Sequence, residues 1–183
     1  MPPKSKITKE NVLQAAFEIV LQEGMTEVNA RSIAKHLNCS TQPLFRLYPG
    51  MQALKAELYE KIYAFYRHYT HAYPISHDRL LQESVAYVEF ARVYPHLFKA
   101  VYLSDAGGLR SSEDVLHAHY NRDIIQKMVE EYHLSYQESE RLFLDVRFYT
   151  HGIAAYLVEG AIDMDEAEVR QRITRAIQTF KHE

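Results

Sequence analysis

Residues 29 to 51, NARSIAKHLNCSTQPLFRLYPGM, restrict this chain more than any other stretch. Asn29 is a good N-cap, because its side-chain oxygen can accept an orphan backbone N–H of the helix that follows. Ile33, Ala34 and Leu37 then share one helical face, with Arg31, Ser32, Lys35 and His36 around the rest. Asn38 tolerates the left-handed conformation that closes a helix. Ser40 is placed to cap a second helix, with Pro43 inside its first turn, where a missing N–H costs little. Helix, tight turn and helix make a helix-turn-helix.

The rest of the chain repeats apolar residues at helical spacing. Val12, Ala15, Ala16, Ile19 and Val20 stripe residues 9–23. Thr8 caps that helix and Gly24 closes it; Met25 and Val28 plug the small core beyond. Pro49 and Gly50 punctuate before a long helix over 51–72, striped by Leu54, Leu58, Ile62, Phe65 and Tyr69. Ser76 opens a helix over 77–93, and Pro95 starts a short one, HLFKAVYL. The segment Ser104 to Ser112, with Gly107-Gly108, reads as an interhelical loop. Leu116, Tyr120, Ile124 and Met128 predict a helix over 113–133. Ser135 with Glu138, and Asp165 with Glu168, are spaced as capping boxes for the last two helices. No period-two alternation is long enough for a sheet. The expected fold is all-α with about nine helices: a helix-turn-helix domain at 1–50 and a helical domain at 51–183.

Charge supports a division of labour. Residues 1–55 hold seven Lys/Arg against four Asp/Glu, whereas residues 56–183 hold fourteen against twenty. The basic end is the one with the helix-turn-helix, although a net charge of −3 does not advertise nucleic-acid binding. Lys4 and Lys6 in residues 2–7 suit either a basic arm reaching DNA or a disordered terminus. The single cysteine, Cys39, excludes an intramolecular disulfide and a cysteine-based metal cluster. No signal peptide or membrane-length apolar run is present, so the default expectation is a cytoplasmic protein.

Val12 through Gly24, Ile33-Ala34, Ser40, Leu44-Phe45 and Tyr48 together resemble the N-terminal domain of TetR/AcrR-type transcriptional regulators. The resemblance covers about the first third of the chain. It implies an all-helical homodimer on double-stranded DNA, whose C-terminal domain binds a small molecule and thereby releases the operator. It also makes the helix over 51–72 the mechanical link between the two functions. Three positions depart from the family pattern: Phe45 where Tyr is common, Leu47 where His or Tyr is common, and Met51 in place of a lysine.

Candidate DNA contacts are Ser40, Thr41, Gln42 and Arg46 at the second helix, Arg31, Lys35 and Tyr48 on the backbone, and Lys55 near the fourth helix. Gln pairs with adenine and Arg with guanine or phosphate. Tyr63, Tyr66, Tyr87, Phe90, Tyr94, Tyr102, Tyr120 and Tyr149 lie on helices that the resemblance wraps around a ligand cavity, and aromatic walls with hydroxyl tips suit a drug-sized molecule. The resemblance implies dimerisation through a four-helix bundle of the last two helices, for which Val146, Ile153, Leu157, Ile173 and Ile177 are candidates. Gly152, inside an apolar helix, suggests close approach of another helix; the adjoining His151 fits either that packing or the ligand pocket. A zinc site needs nitrogens converging from three or four positions; His68 and His71 could share a helical face, but His117 and His119 diverge on a helix, so scattered, solvated histidines are expected, with no metal or cofactor. The rival readings are a small helical enzyme, against which no nucleophile–base arrangement is visible, and a DNA-binding protein without a small effector.

Overall fold

The structure, a computed structural model, describes residues 7–74, 78–104 and 111–182, the side chains of His119 and Tyr120 excepted. The described residues form ten α-helices: α1 (Lys9–Glu23), α2 (Ala30–His36), α3 (Gln42–Leu47), α4 (Met51–Ala72), α5 (Arg79–Val93), α6 (Pro95–Tyr102), α7 (Ser112–His117), α8 (His119–Tyr132), α9 (Tyr136–Val158) and α10 (Glu166–Lys181). A 3-10 turn, Met25–Glu27, follows α1, and no strand occurs among the described residues. The expected basic arm, the Ser76 cap and Gly107-Gly108 fall outside those residues.

The chain divides into two compact units, Met1–Tyr66 with His96–Gly107, and Arg67–Pro95 with Gly108–Glu183. In the first unit, the expected stripe of α1 is buried, and Ile33, Leu44, Leu54, Leu58 and Ile62 complete the core. Phe17 meets Phe65 edge-on at 5.4 Å. Thr8 and Asn11 cap α1 reciprocally. Gly24 adopts φ +94°, a region that disfavours any Cβ, and an added Cβ would lie 3.2 Å from the His96 ring. Val28 is buried as expected, while Met25 is only half-buried.

The second unit is organised around α5. Its packing is most extensive against α9, then α10, with α8 on a further side. Leu80 and every residue from Gln82 to Ala91 are buried, so α5 is enclosed nearly all round rather than on one face. Its polar groups are accommodated locally. Gln82 donates to the Tyr73 carbonyl at 3.2 Å, Glu83 pairs with Arg79, and Glu89 pairs with Arg92. Asp78, accepting from the Leu81 N–H at 2.8 Å, caps the helix.

The single helix expected over 113–133 is two helices. Ala118 is extended (φ −56°, ψ 125°), which divides α7 from α8. The break deprives the Val115 carbonyl of its helical donor, and the buried Asn121 side chain replaces it at 2.6 Å. Ser111 and Asp114 form a capping box that starts α7. The Ser135–Glu138 box opens α9 as expected. Only half of the second box forms: Asp165 accepts from the Glu168 N–H at 2.8 Å, but the Glu168 carboxylate turns to Arg172.

Candidate nucleic-acid interface

The turn between α2 and α3 is built by backbone geometry. Asn29 accepts from the N–H groups of Arg31 and Ser32, each at 3.0 Å, and Ser32 returns a contact to the Asn29 N–H. At the other end Asn38 takes φ +50°. Its N–H reaches the Lys35 carbonyl at 3.1 Å, and the Cys39 N–H reaches Ala34 at 2.9 Å. These are the two bonds of a Schellman motif, which reverses the chain sharply. Cys39 is half-buried there.

Ser40 does not cap α3. Thr41 is the N-cap, already in helical conformation and without a side-chain cap bond, so Ser40 lies one residue too early. Leu44 is buried beneath α3 and fixes its rotation. Gln42, Phe45 and Arg46, related by three and four residues, consequently share one exposed face. Phe45 is 56% exposed and stands between the two polar side chains of that face. Sequence reasoning passed over Phe45 as a lost tyrosine; its signal was the aromatic ring itself, which can meet a thymine methyl. Arg31 and Lys35 are exposed one turn apart on α2, and Lys55 is half-buried on α4.

Tyr48 departs from the expected backbone role. It is 3% exposed, and its hydroxyl donates to Glu57 at 3.0 Å. Lys9 pairs with the same carboxylate and lies 5.0 Å from the Tyr48 ring centroid. Burial first, then the Glu57 carboxylate, push the phenol up to about 12, so it keeps its proton. The end of α3 is thus tied to α4 and to the start of α1.

The aromatic candidates form local groups. In the first unit, Tyr66 lies 6.0 Å from Tyr63 and 5.4 Å from Tyr102. In the second, Phe90 and Tyr94 lie 5.3 Å apart, joined by Tyr69 at 5.5 and 5.7 Å. Tyr87 is buried, with its hydroxyl 2.8 Å from His151 Nδ1 and the Arg147 guanidinium 4.5 Å from its ring centroid. Burial, then Arg147, lower the His151 pKa, favouring the neutral imidazole, which shares this hydrogen bond with Tyr87. Tyr149 packs against Phe180 at 6.3 Å, beside a 390 Å³ groove that Arg172 and Arg175 also line. The side chain of Tyr120 is outside the described residues.

The dimer candidates need correction. Val146, Ile153, Ile173 and Ile177 are between 0% and 7% exposed within one chain, because the stripes of α9 and α10 face α5. Only Leu157 is half-buried. Along the middle and end of α9 the apolar residues Phe148 and Tyr156 are 55% and 60% exposed, and Tyr136 at its first turn is exposed too. Gly152 stands between Phe148 and Tyr156 at four-residue spacing, and a Cβ there would meet nothing within 4 Å. Among the described residues, no other helix comes within 4 Å of that position.

A model of the tetracyclin repressor-like C-terminal domain matches residues 80–180, more than half of the chain. An uncharacterised HTH-type transcriptional regulator of Bacillus subtilis (strain 168), YobS, is 34% identical over 58 residues, 32% of this chain and 30% of that protein. The matched stretch thus spans under a third of the relative's length. Among solved structures, a TetR variant from Acinetobacter baumannii AYE in complex with minocycline aligns at TM-score 0.62 and 18% identity, covering 97% of this chain and 98% of that one. A TetR-family member from Streptomyces coelicolor A3 aligns at 0.61 and 15%, covering 96% and 98%. A regulator from Rhodococcus sp. RHA1 aligns at 0.54 and 17%, covering 93% of each. At these identities the structural likeness shows the fold.

Proposed function

The chain belongs to the TetR family of helix-turn-helix transcriptional regulators, a family of regulators rather than enzymes, and from that premise we propose that it is a ligand-responsive repressor. Two copies bind a palindromic operator, and a small molecule bound in the second unit releases it. The observation that carries this reading is the single exposed face of α3 made by Gln42, Phe45 and Arg46, with Arg31 and Lys35 exposed on α2. Base edges in a major groove are read by such a set, while cations on the preceding helix grip phosphates. Phe45 supplies an apolar contact where a hydroxyl would serve in relatives, favouring thymine methyl recognition over a phosphate bond.

A pair of heads on a two-fold operator requires half-sites about 34–36 Å apart. The dimer face supported best is Phe148, Gly152 and Tyr156 of α9, rather than the buried stripes. Residues of α4 belong to both units, Met51–Tyr66 to the first and Arg67–Ala72 to the second, which makes this helix the connection between effector and heads. An effector lowers operator affinity only as far as it prefers the DNA-incompetent arrangement. The minocycline complex of the A. baumannii relative supports a small-molecule effector as the input.

The test is anisotropy of a labelled duplex from the DNA upstream of the protein's own gene, titrated at several salt concentrations. Saturable binding that outcompetes random duplex and weakens steeply with salt is expected. Binding indifferent to sequence would remove the operator reading.

A further inference from the structure

We infer that Glu89 and the aromatic cluster centred on Tyr69 bind a protonated amine, whose N–H donates to Glu89 Oε1. The cluster lies within the second unit, where the end of α4 packs on the end of α5. From the Tyr69 ring, the centroids of Phe90, Tyr94 and Tyr73 lie at 5.5, 5.7 and 6.1 Å. Phe90 is fully buried, whereas Tyr69, Tyr73 and Tyr94 are half-buried, so the cluster runs from the core to the surface.

Glu89 precedes Phe90 in α5 and is only 2% exposed. Arg92 donates through both Nε and Nη2 to one carboxylate oxygen, Oε2. The other oxygen, Oε1, is buried and has no hydrogen-bond partner among the described residues. A buried acceptor without a donor is costly, and a fold that keeps one leaves a position for a ligand to complete. The same carboxylate acts on the rings of the cluster. Burial first, then the Glu89 charge, raise the Tyr69 pKa. Burial, then Glu166, and after them Glu89, raise that of Tyr73. Both phenols therefore stay neutral and feel the charge of one buried carboxylate.

Two demands select the ligand. Oε1 requires a donor, and an ammonium N–H is the strongest complement to a carboxylate. The faces of tyrosine and phenylalanine rings attract a cation. The neighbouring cations are already engaged, Arg92 by Glu89 and Arg170 by Glu166 at 3.2 Å. A quaternary ammonium meets the second demand alone, and an alcohol meets the first alone. A protonated amine meets both. Tyr69 belongs to α4, the helix that links the two units, so a ligand held here touches the connection to the head directly.

The effector role of this ligand class rests on the repressor reading; its binding does not. The experiment is calorimetry of the full chain with benzylammonium, benzyltrimethylammonium and benzyl alcohol. Benzylammonium is expected to bind at least about 10-fold more tightly than either control. Glu89→Gln is expected to abolish that preference. Tyr73→Leu, at a half-buried position beyond the end of α4, is expected to weaken benzylammonium about 3- to 10-fold, and it decides the matter should the Glu89 variant fail to fold. No heat from benzylammonium at about 1 mM, equal affinity for either control, or unchanged affinity in Tyr73→Leu would overturn the site. Duplex titrations run beside these separate the two proposals: benzylammonium binding without release of duplex keeps the site and removes its effector role.

Discussion

The Tyr48 hydroxyl donates to the Glu57 carboxylate across 3.0 Å, joining the residue that ends the recognition helix to the second turn of α4. Lys9 holds the same carboxylate from α1. A residue that sequence alone places on the DNA backbone is thus a clasp that sets the pitch of α3. Tyr48→Phe keeps the ring and removes the bond. We expect a melting temperature lower by roughly 2 °C and operator affinity reduced a few-fold, with base preference unchanged. Duplex competition among single-base operator variants checks the last point; altered base preference would return Tyr48 to the interface.

The same clasp has a pH signature. Hydrogen bonding from Lys9, opposed by desolvation and assisted by Tyr48, holds the Glu57 pKa below its ordinary carboxylate value of 4.5. Its contribution is present above that value and is lost as pH falls through the lowered folded pKa. Glu57→Gln should therefore be less stable than wild type at neutral pH, and the gap should close under acid. Thermal melts of both proteins from pH 7 to pH 3 test this; a gap that is constant with pH refutes it.

Contacts to bases and to phosphates should separate on titration. Arg46→Ala should cost roughly 10- to 100-fold in operator affinity and relax discrimination at one base pair. Phe45→Ala should lose preference at a thymine and leave the salt dependence alone. Arg31→Ala or Lys35→Ala should weaken specific and random duplex alike and reduce the salt slope by about one each. Anisotropy at four salt concentrations distinguishes these patterns, and an unchanged slope for both cations would remove α2 from the phosphate grip.

His151 sits opposite Tyr87, and burial followed by Arg147 depresses its pKa below the ordinary 6.5. For a depressed group the stabilisation is full above 6.5 and declines as pH falls through the folded pKa. His151→Gln keeps a polar partner for the hydroxyl without titrating. Its melting temperature should lie closest to that of wild type near pH 5 and fall behind at pH 7.5. A difference that does not vary over this range would show that the imidazole does not titrate with folding.

Much of the fold was legible because local rules and tertiary packing agree. Thr8, Asn29 and Ser135 cap the helices that their spacing predicts, and α4 has the bounds its punctuation implies. The misses have physical causes. The four-residue repeat through 116–128 hides the break at Ala118, because Asn121 supplies from its side chain the bond that the backbone gives up. The all-round burial of α5 is invisible where Gln82, Glu83 and Glu89 look like a solvated face; each is paired locally instead. On α3, helix periodicity put Gln42 and Arg46 on the outward face, where they are exposed, but it could not tell that the Tyr48 hydroxyl faces inward. An apolar stripe marks a buried face without saying whether the same chain or a second one covers it, and that ambiguity misassigned Val146, Ile153, Ile173 and Ile177.

The outward face of α9 resolves the same ambiguity in the opposite direction. Phe148 and Tyr156 are exposed in one chain, so replacing both with Glu removes little from the protomer's core. The double variant should remain folded and turn monomeric by light scattering, with operator binding lost because two half-sites can no longer be held together. Gly152 allows a finer test. A Cβ there meets no atom of the described residues within 4 Å beyond its own helical turn, and alanine gains up to about 1 kcal/mol in helix propensity. In an isolated protomer Gly152→Ala is therefore stabilising. In a dimer packed closely over this glycine it crowds the neighbouring helix, and the dissociation constant should rise while the monomer's own melting temperature holds or increases. Sedimentation equilibrium of the variant across micromolar concentrations reads the first quantity, and thermal melts in the monomeric Phe148→Glu, Tyr156→Glu background read the second. If the dissociation constant is unchanged, the partner helix crosses elsewhere, and this face of α9 is not the seam of the dimer.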